Sequence, residues 1–185
     1  MERIIKIVIS VLSLSLGFSN VIGEMPSDFE YNQSTMQQFY FIIDANIDGT
    51  TIEEGDWIAA FKGDLCVGAR EWVGSYTDIP VMGDDGEEYS AGYMLPGEYP
   101  TFKIYKLSEE NIYNAQPSEN VGFLLTDPLG LLEMVQIQSL DVVYDCADVL
   151  GGLLVFDDCG VCDGDGSDDI GCGCFEDAAL TYYMD

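Results

Sequence analysis

The chain has 185 residues, 34 of them acidic and 6 basic, with no histidine and a formal net charge of −28. That balance argues against nucleic acid and anionic lipid as partners, since repulsion acts over a Debye length of about 8 Å at physiological salt. Without histidine the usual general base, the Ser–His and Cys–His nucleophile pairs and the commonest zinc ligand are missing, and carboxylate-only chemistry is the enzymatic option left.

The chain starts with Arg3 and Lys6, an apolar run from Ile7 to Phe18, and compact residues at Val21-Ile22-Gly23. This is the layout of a secretory signal peptide. A membrane anchor needs about 20 apolar residues, and Ser10, Ser13, Ser15, Ser19 and Asn20 interrupt this run. Residues 1–23 are therefore expected to be removed on export. The mature chain then starts near Glu24 with 33 acidic and 4 basic residues, and no membrane span remains.

Residues 24–140 read as an all-β domain, an antiparallel β-sandwich. The clearest element is a hairpin, with Trp57 to Phe61 as one apolar arm, Lys62-Gly63-Asp64 as the turn, and Leu65 to Ala69 as the return. Glycine reaches the positive φ that such tight turns need. Further strands are expected at Met36–Ile43, Tyr89–Leu95, Thr101–Leu107 and Leu131–Leu140, separated by turn signals at 46–49, 83–86, 96–97 and 127–128. No long stretch has a 3.6-residue period, so little helix is expected beyond a short one within 124–132. The predicted core is Phe39, Phe41, Trp57, Phe61, Phe102 and Ile104.

From Asp141 onward the composition changes. Residues 141–185 hold twelve acidic side chains, no basic ones and five of the six cysteines, interleaved with glycines. A segment so poor in apolar residues cannot build a core of its own, so disulfides, metal or both must order it. The spacing Cys146-x12-Cys159-x2-Cys162-x9-Cys172-x-Cys174 is most simply a disulfide framework of open connectivity in an exported chain. Zinc thiolates and a redox CxxC are the rival readings, weakened by the acidity and by the lack of a βαβ context. One cysteine of the five is left over. Cys66 is either its partner or, more simply, a small buried apolar residue.

Two stretches have calcium-ligand chemistry. Asp163, Asp165, Ser167 and Asp169 put oxygen at alternate positions of a glycine-rich loop, and calcium takes six to eight oxygens in a flexible cage. Asp44, Asn46 and Asp48, followed by Gly49, match the first half of an EF-hand loop, although Gly55 stands where the bidentate Glu belongs. A plain β-turn explains that run as well. Asp84-Asp85-Gly86-Glu87-Glu88 offers either an acid/base pair or an acidic turn tip. Tyr76, Tyr89, Tyr93 and Tyr99, read as exposed, could form a sugar-stacking face or cover core edges.

Asp145-Cys146 through Gly151-Gly152, followed by Asp157-Asp158-Cys159-Gly160-Val161-Cys162-Asp163-Gly164-Asp165-Gly166, resembles the Cys-rich acidic modules beside thrombospondin type 3 calcium repeats and in thrombospondin-motif metalloproteases. The likeness covers roughly residues 145–174 and implies an extracellular, disulfide-bonded module next to calcium repeats. Asp148 and Asp163 depart from it, since glycine is usual at both places. Ala179 to Asp185 looks like the lead-in to a DxDGDG repeat cut at its first Asp, as if the chain were part of a longer one. The first domain, with GDWIAAF and CVGAR, is similar to a module of large secreted marine bacterial proteins for which no activity carries over.

The expectation is a secreted or cell-surface, non-enzymatic adhesion module with a stalk stabilised by Ca2+ and disulfides, acting on an extracellular partner or glycan. The alternative is a carbohydrate-binding or accessory module of a larger hydrolase. A glycosidase using two of Glu71, Glu87, Glu88 and Glu98 is the weakest reading.

Overall fold

The computed structural model describes residues 24–123, 134–167 and 174. Eight strands are assigned in it: β1 (Gln37–Ile47), β2 (Thr50–Thr51), β3 (Trp57–Lys62), β4 (Leu65–Glu71), β5 (Thr77–Met82), β6 (Thr101–Lys106), β7 (Asn111–Pro117) and β8 (Val135–Val142). The only helical pieces among the described residues are three single-turn 3₁₀ segments. The all-β expectation holds. The proposed short helix within 124–132 and the leader at 1–23 lie outside the described residues.

The strands do not separate into two antiparallel sheets. They follow one path, β2-β1-β8-β7-β6-β3-β4, and β5 pairs with the first half of β1. Every ladder is antiparallel except β1–β8, which runs parallel from Tyr40↔Val135 to Ile47↔Val142. Although β4 and β5 stand near opposite ends of this path, they meet. Gly68 of β4 lies so close to the backbone of Pro80 in β5 that a Cβ would overlap its carbonyl. The sheet therefore curls until its two ends touch, without a ladder between them.

The predicted hairpin is present, with Lys62 opposite Leu65 and a bulge after Ala60. Its apolar run is explained by burial on both faces. Ile58 and Ala60 face the main core with Tyr40, Ile42, Ile79, Ile104 and Ile137. Ala59 and Phe61 face a second, smaller cluster with Phe29, Cys66 and Ala69, covered by Met25 and Tyr31 of the N-terminal segment.

Part of the predicted core is out of phase. On β1 the inward residues are Gln38, Tyr40 and Ile42, while Phe39 and Phe41 stay half-exposed. Trp57 is only partly buried, against the second cluster, and Trp72 is the buried tryptophan. Tyr89–Leu95 is not a strand: it holds a 3₁₀ turn at Glu88–Ser90 and an isolated bridge at Met94. Strands β5 and β7 were not predicted, because Pro80 and the Asn/Gln content of 111–117 mask their pattern.

The four basic side chains among the described residues are all engaged. Lys106 reaches the buried carboxylate of Asp56 at 2.9 Å, and Asp56 also accepts the backbone N–H groups of Glu53 and Leu107. Lys62 pairs with Glu98 and Arg70 with Asp78, each at 2.7 Å. Lys103 sits over the Phe61 ring, 4.3 Å from its centre.

Candidate functional site

The first predicted calcium stretch runs along β1 and into its hairpin. Asp44 is exposed on the strand. Asn46 donates its amide to Asp141 Oδ1 at 2.9 Å and accepts from Thr51 Oγ1 at 3.1 Å. Asp48 and Gly49 both have positive φ, 48° and 72°, in the two-residue turn that places Ile47 opposite Thr50. Two successive left-handed residues are what a type I′ turn requires. The β-turn alternative describes Asp48 and Gly49, while Asp44 and Asn46 lie on the strand before them.

The Cys-rich segment is ordered by two carboxylates. Asp145 Oδ1 accepts the N–H groups of Ala147 and Val149, both at 2.9 Å, while Oδ2 accepts that of Leu154 at 3.3 Å. Twelve residues on, Asp157 repeats the pattern. Its Oδ1 accepts from Cys159 and Val161 at 3.0 and 2.8 Å, and its Oδ2 from Gly166 at 3.2 Å. The isolated bridges Tyr144↔Leu150 and Phe156↔Cys162 are shifted by the same twelve residues. So are the backbone bonds Gly151 N–H to Val143 O and Asp163 N–H to Val155 O, both 2.9 Å. Residues 143–166 are thus two copies of one twelve-residue unit, each built around an aspartate instead of an apolar core.

The glycines of the unit follow from this geometry. A Cβ on Gly152 would overlap the Asp145 carboxylate, and one on Gly164 that of Asp157. Asp148 and Asp163, the two departures from the thrombospondin-associated pattern, have φ of 59° and 56°. Both sit in the left-handed region, at a residue type that tolerates it better than most.

Disulfides lace the copies together. Cys146 in the first pairs with Cys162 in the second, and Cys159 in the second pairs with Cys174 beyond it, with Cα–Cα distances of 5.5 and 5.2 Å. Cys66 takes no part. It is buried, its thiol donates to Phe29 O at 3.3 Å, and burial pushes its pKa up to about 11, so it is a poor nucleophile. Cys172 lies outside the described residues.

No protein family, curated protein or solved structure matches this chain.

Of the second calcium stretch, Asp163, Asp165 and Ser167 are described and exposed. Ser167 N–H donates to Asp165 Oδ1 at 2.9 Å, and hydrogen bonds from Ser167 hold the Asp165 carboxyl below its ordinary value. Asp169 lies outside the described residues. Among those described, no group of three or more Cys, Asp or Glu side chains converges as a metal site.

The acidic turn 84–88 is an internally bonded loop. Asp85 accepts from Thr35 N at 2.9 Å, Thr35 Oγ1 at 2.8 Å and Ser90 Oγ at 2.5 Å. The Ser90 and Thr35 donors hold its carboxyl far below the carboxylate range. Tyr89 donates to the same carboxylate at 3.1 Å. The predicted tyrosine face divides: Tyr76, Tyr89 and Tyr99 are exposed, but Tyr93 is buried.

Tyr89 and Tyr93 instead join Tyr31, which the sequence reading passed over, in a cleft of about 510 Å³. Met25, Glu30, Asn32, Leu65 and Ala91 complete it. Asn32 fixes this cleft, its backbone N–H donating to Tyr93 Oη at 2.7 Å and its amide to Tyr89 O at 3.3 Å. Desolvation holds the Tyr31 phenol above its ordinary pKa.

Proposed function

We propose that this chain is a secreted, non-enzymatic surface module in which a curled β-domain is carried on a disulfide-laced stalk. One observation carries the reading: one disulfide joins the two copies of a unit that has no core, and a second ties the latter copy to Cys174 beyond it. Such bridges persist in oxidising compartments and are rare where glutathione keeps thiols reduced. The enzymatic alternative is weakened because Glu98, one of its four candidate carboxylates, is tied to Lys62 and to the Leu95 N–H.

In this reading calcium binds the exposed oxygens of Asp163, Asp165 and Ser167 with extracellular-type affinity, on the order of 10⁻⁴–10⁻³ M. It stiffens the stalk and offsets carboxylate repulsion. Calorimetric titration of the oxidised protein with calcium, paired with melting in chelator, tests this. Heat of binding and a chelator-sensitive transition are expected. Their absence removes the metal, and full reduction of the cysteines in exported material removes the stalk.

The Tyr31–Tyr89–Tyr93 cleft favours a second reading, a carbohydrate-binding or accessory module, because aromatic rings beside the hydrogen-bonded Asn32 amide offer an apolar face and polar handles together. Glycan-array binding lost in Tyr89→Ala is the expected result. A silent array counts against it.

A further inference from the structure

The twelve-residue unit repeats an apolar feature as well as its carboxylate. Val143 and Tyr144 precede Asp145, and Val155 and Phe156 precede Asp157. All four are exposed, at 41, 53, 72 and 63%. With Leu154 and Gln116 they line a single groove of about 320 Å³.

Scattered apolar side chains on a surface are ordinary. Here Leu153, Leu154, Val155 and Phe156 are consecutive and all exposed. Their backbone is already used within the stalk. Leu154 N–H donates to Asp145, and the Leu154 and Val155 carbonyls accept from Cys146 and Asp163 at 3.4 and 2.9 Å. The run is held in place by its main chain while its side chains face water. A contiguous apolar patch with a polar rim marks an interaction surface.

Charge points to the occupant. Asp145 lines the groove, the exposed Asp158 and Asp163 follow the apolar run in sequence, and no Lys or Arg follows Lys106. We propose that this groove docks an extracellular polypeptide segment with apolar or aromatic anchors flanked by Lys or Arg. Complementary charge steers such a segment in, and burial of Val155 and Phe156 retains it. A second copy of the chain has the same net charge of −28 and is repelled.

The test uses the full oxidised chain and three labelled synthetic peptides: an amphipathic Leu/Lys sequence, a Ser/Lys sequence of equal charge, and a Leu/Glu counterpart. The Leu/Lys peptide should bind, and the Val155→Ser, Phe156→Ser double variant, which keeps every charge, should lose at least about tenfold in affinity. Tyr144→Ser should weaken binding by less. Intact disulfides and retained protection of the Val161 amide show that the variants are folded. Equal binding by parent and double variant, or by the Leu/Lys and Ser/Lys peptides, overturns the proposal. So does a parent dimer in sedimentation that the double variant abolishes, which would make the occupant a second copy. The extracellular source of the segment rests on the proposed function, but none of these binding outcomes depends on calcium or on secretion.

Discussion

Residues 24–142 and residues 143–167 are ordered by different physics. In the first region Tyr40, Ile42, Ile58, Ile79, Ile104, Ile137 and Leu140 leave water together, and burial of each such side chain is worth about 1.5–3 kcal/mol. In the second, most of the apolar side chains stay exposed, and order comes from backbone N–H groups converging on Asp145 and Asp157 and from two disulfides. A core requires volume; a carboxylate accepting three N–H groups does not. The Cys-rich segment can therefore be built in units of twelve residues, far below the size at which a hydrophobic core suffices.

If the regions are held by different forces, they should fail separately. The largest effect is expected in the β-domain, where Asp56→Ala leaves Lys106 only the exposed Glu53 and strands the Glu53 and Leu107 N–H groups. Removing a buried carboxylate with these partners costs about 3 kcal/mol, read as a lower chemical-denaturation midpoint, with the 143–167 amides still protected below the transition. A loss no larger follows from Cys146→Ser with Cys162→Ser. Closing a loop of about 15 residues contributes about 3 kcal/mol in the chain-entropy account. The stalk amides should exchange faster while the β-domain melts unchanged; a matching drop in β-domain stability would show one cooperative unit.

A finer test separates the two copies. Asp157→Ala should expose the Cys159, Val161 and Gly166 amides to hydrogen exchange and leave those of Ala147 and Val149 protected. Gly164→Ala should do the same by displacing that carboxylate. Loss of protection in both copies at once would deny their independence.

The smallest and most diagnostic contrast is with pH. Hydrogen bonds from Val149 and neighbouring N–H groups depress the Asp145 pKa, and those from Ser167 depress that of Asp165. Their stabilisation is present above the ordinary Asp value of about 3.9. It is lost as pH falls through the depressed values. Lys106 behaves oppositely. Burial alone would lower its pKa, but Asp56 and Glu53 outweigh that and hold it raised. Its contribution is complete below the ordinary Lys value and lost as pH rises through the folded one. Acid should loosen the Asp145 and Asp165 turns together with the Asp85 loop, whereas strong alkali should weaken the Lys106–Asp56 contact of the β-domain, as residue-resolved NMR titration would record.

Local chemistry was legible where each residue's role depends on its neighbours in sequence. The 57–71 hairpin, the β6 alternation, the buried Cys66 and the disulfide character of the Cys run all follow from such patterns. β1 defeated the reading because both parities of FYFII are apolar. The choice of Tyr40 and Ile42 over Phe39 and Phe41 was made by β5 and β8 on either side. β5 was hidden by Pro80, which is tolerated because β5 pairs with β1 alone. The repeat left a faint trace, Asp-x3-Val-x2-Gly at 145–152 and again at 157–164, which the cysteines obscured by falling at different places in the two copies.

The sequence by itself determined an all-β domain, a change of character at Asp141, and a tail too acidic and glycine-rich to have a core. These depend on composition and on residues a few positions apart. Tertiary structure alone decided that the sheet curls on itself through a parallel β1–β8 pair and that Tyr31 meets Tyr89 and Tyr93. It also decided that Asp145 and Asp157 turn inward to gather N–H groups while Val155 and Phe156 turn out. Which carboxylate faces a donor and which faces water depends on where the whole chain places the donors, and that no local pattern encodes.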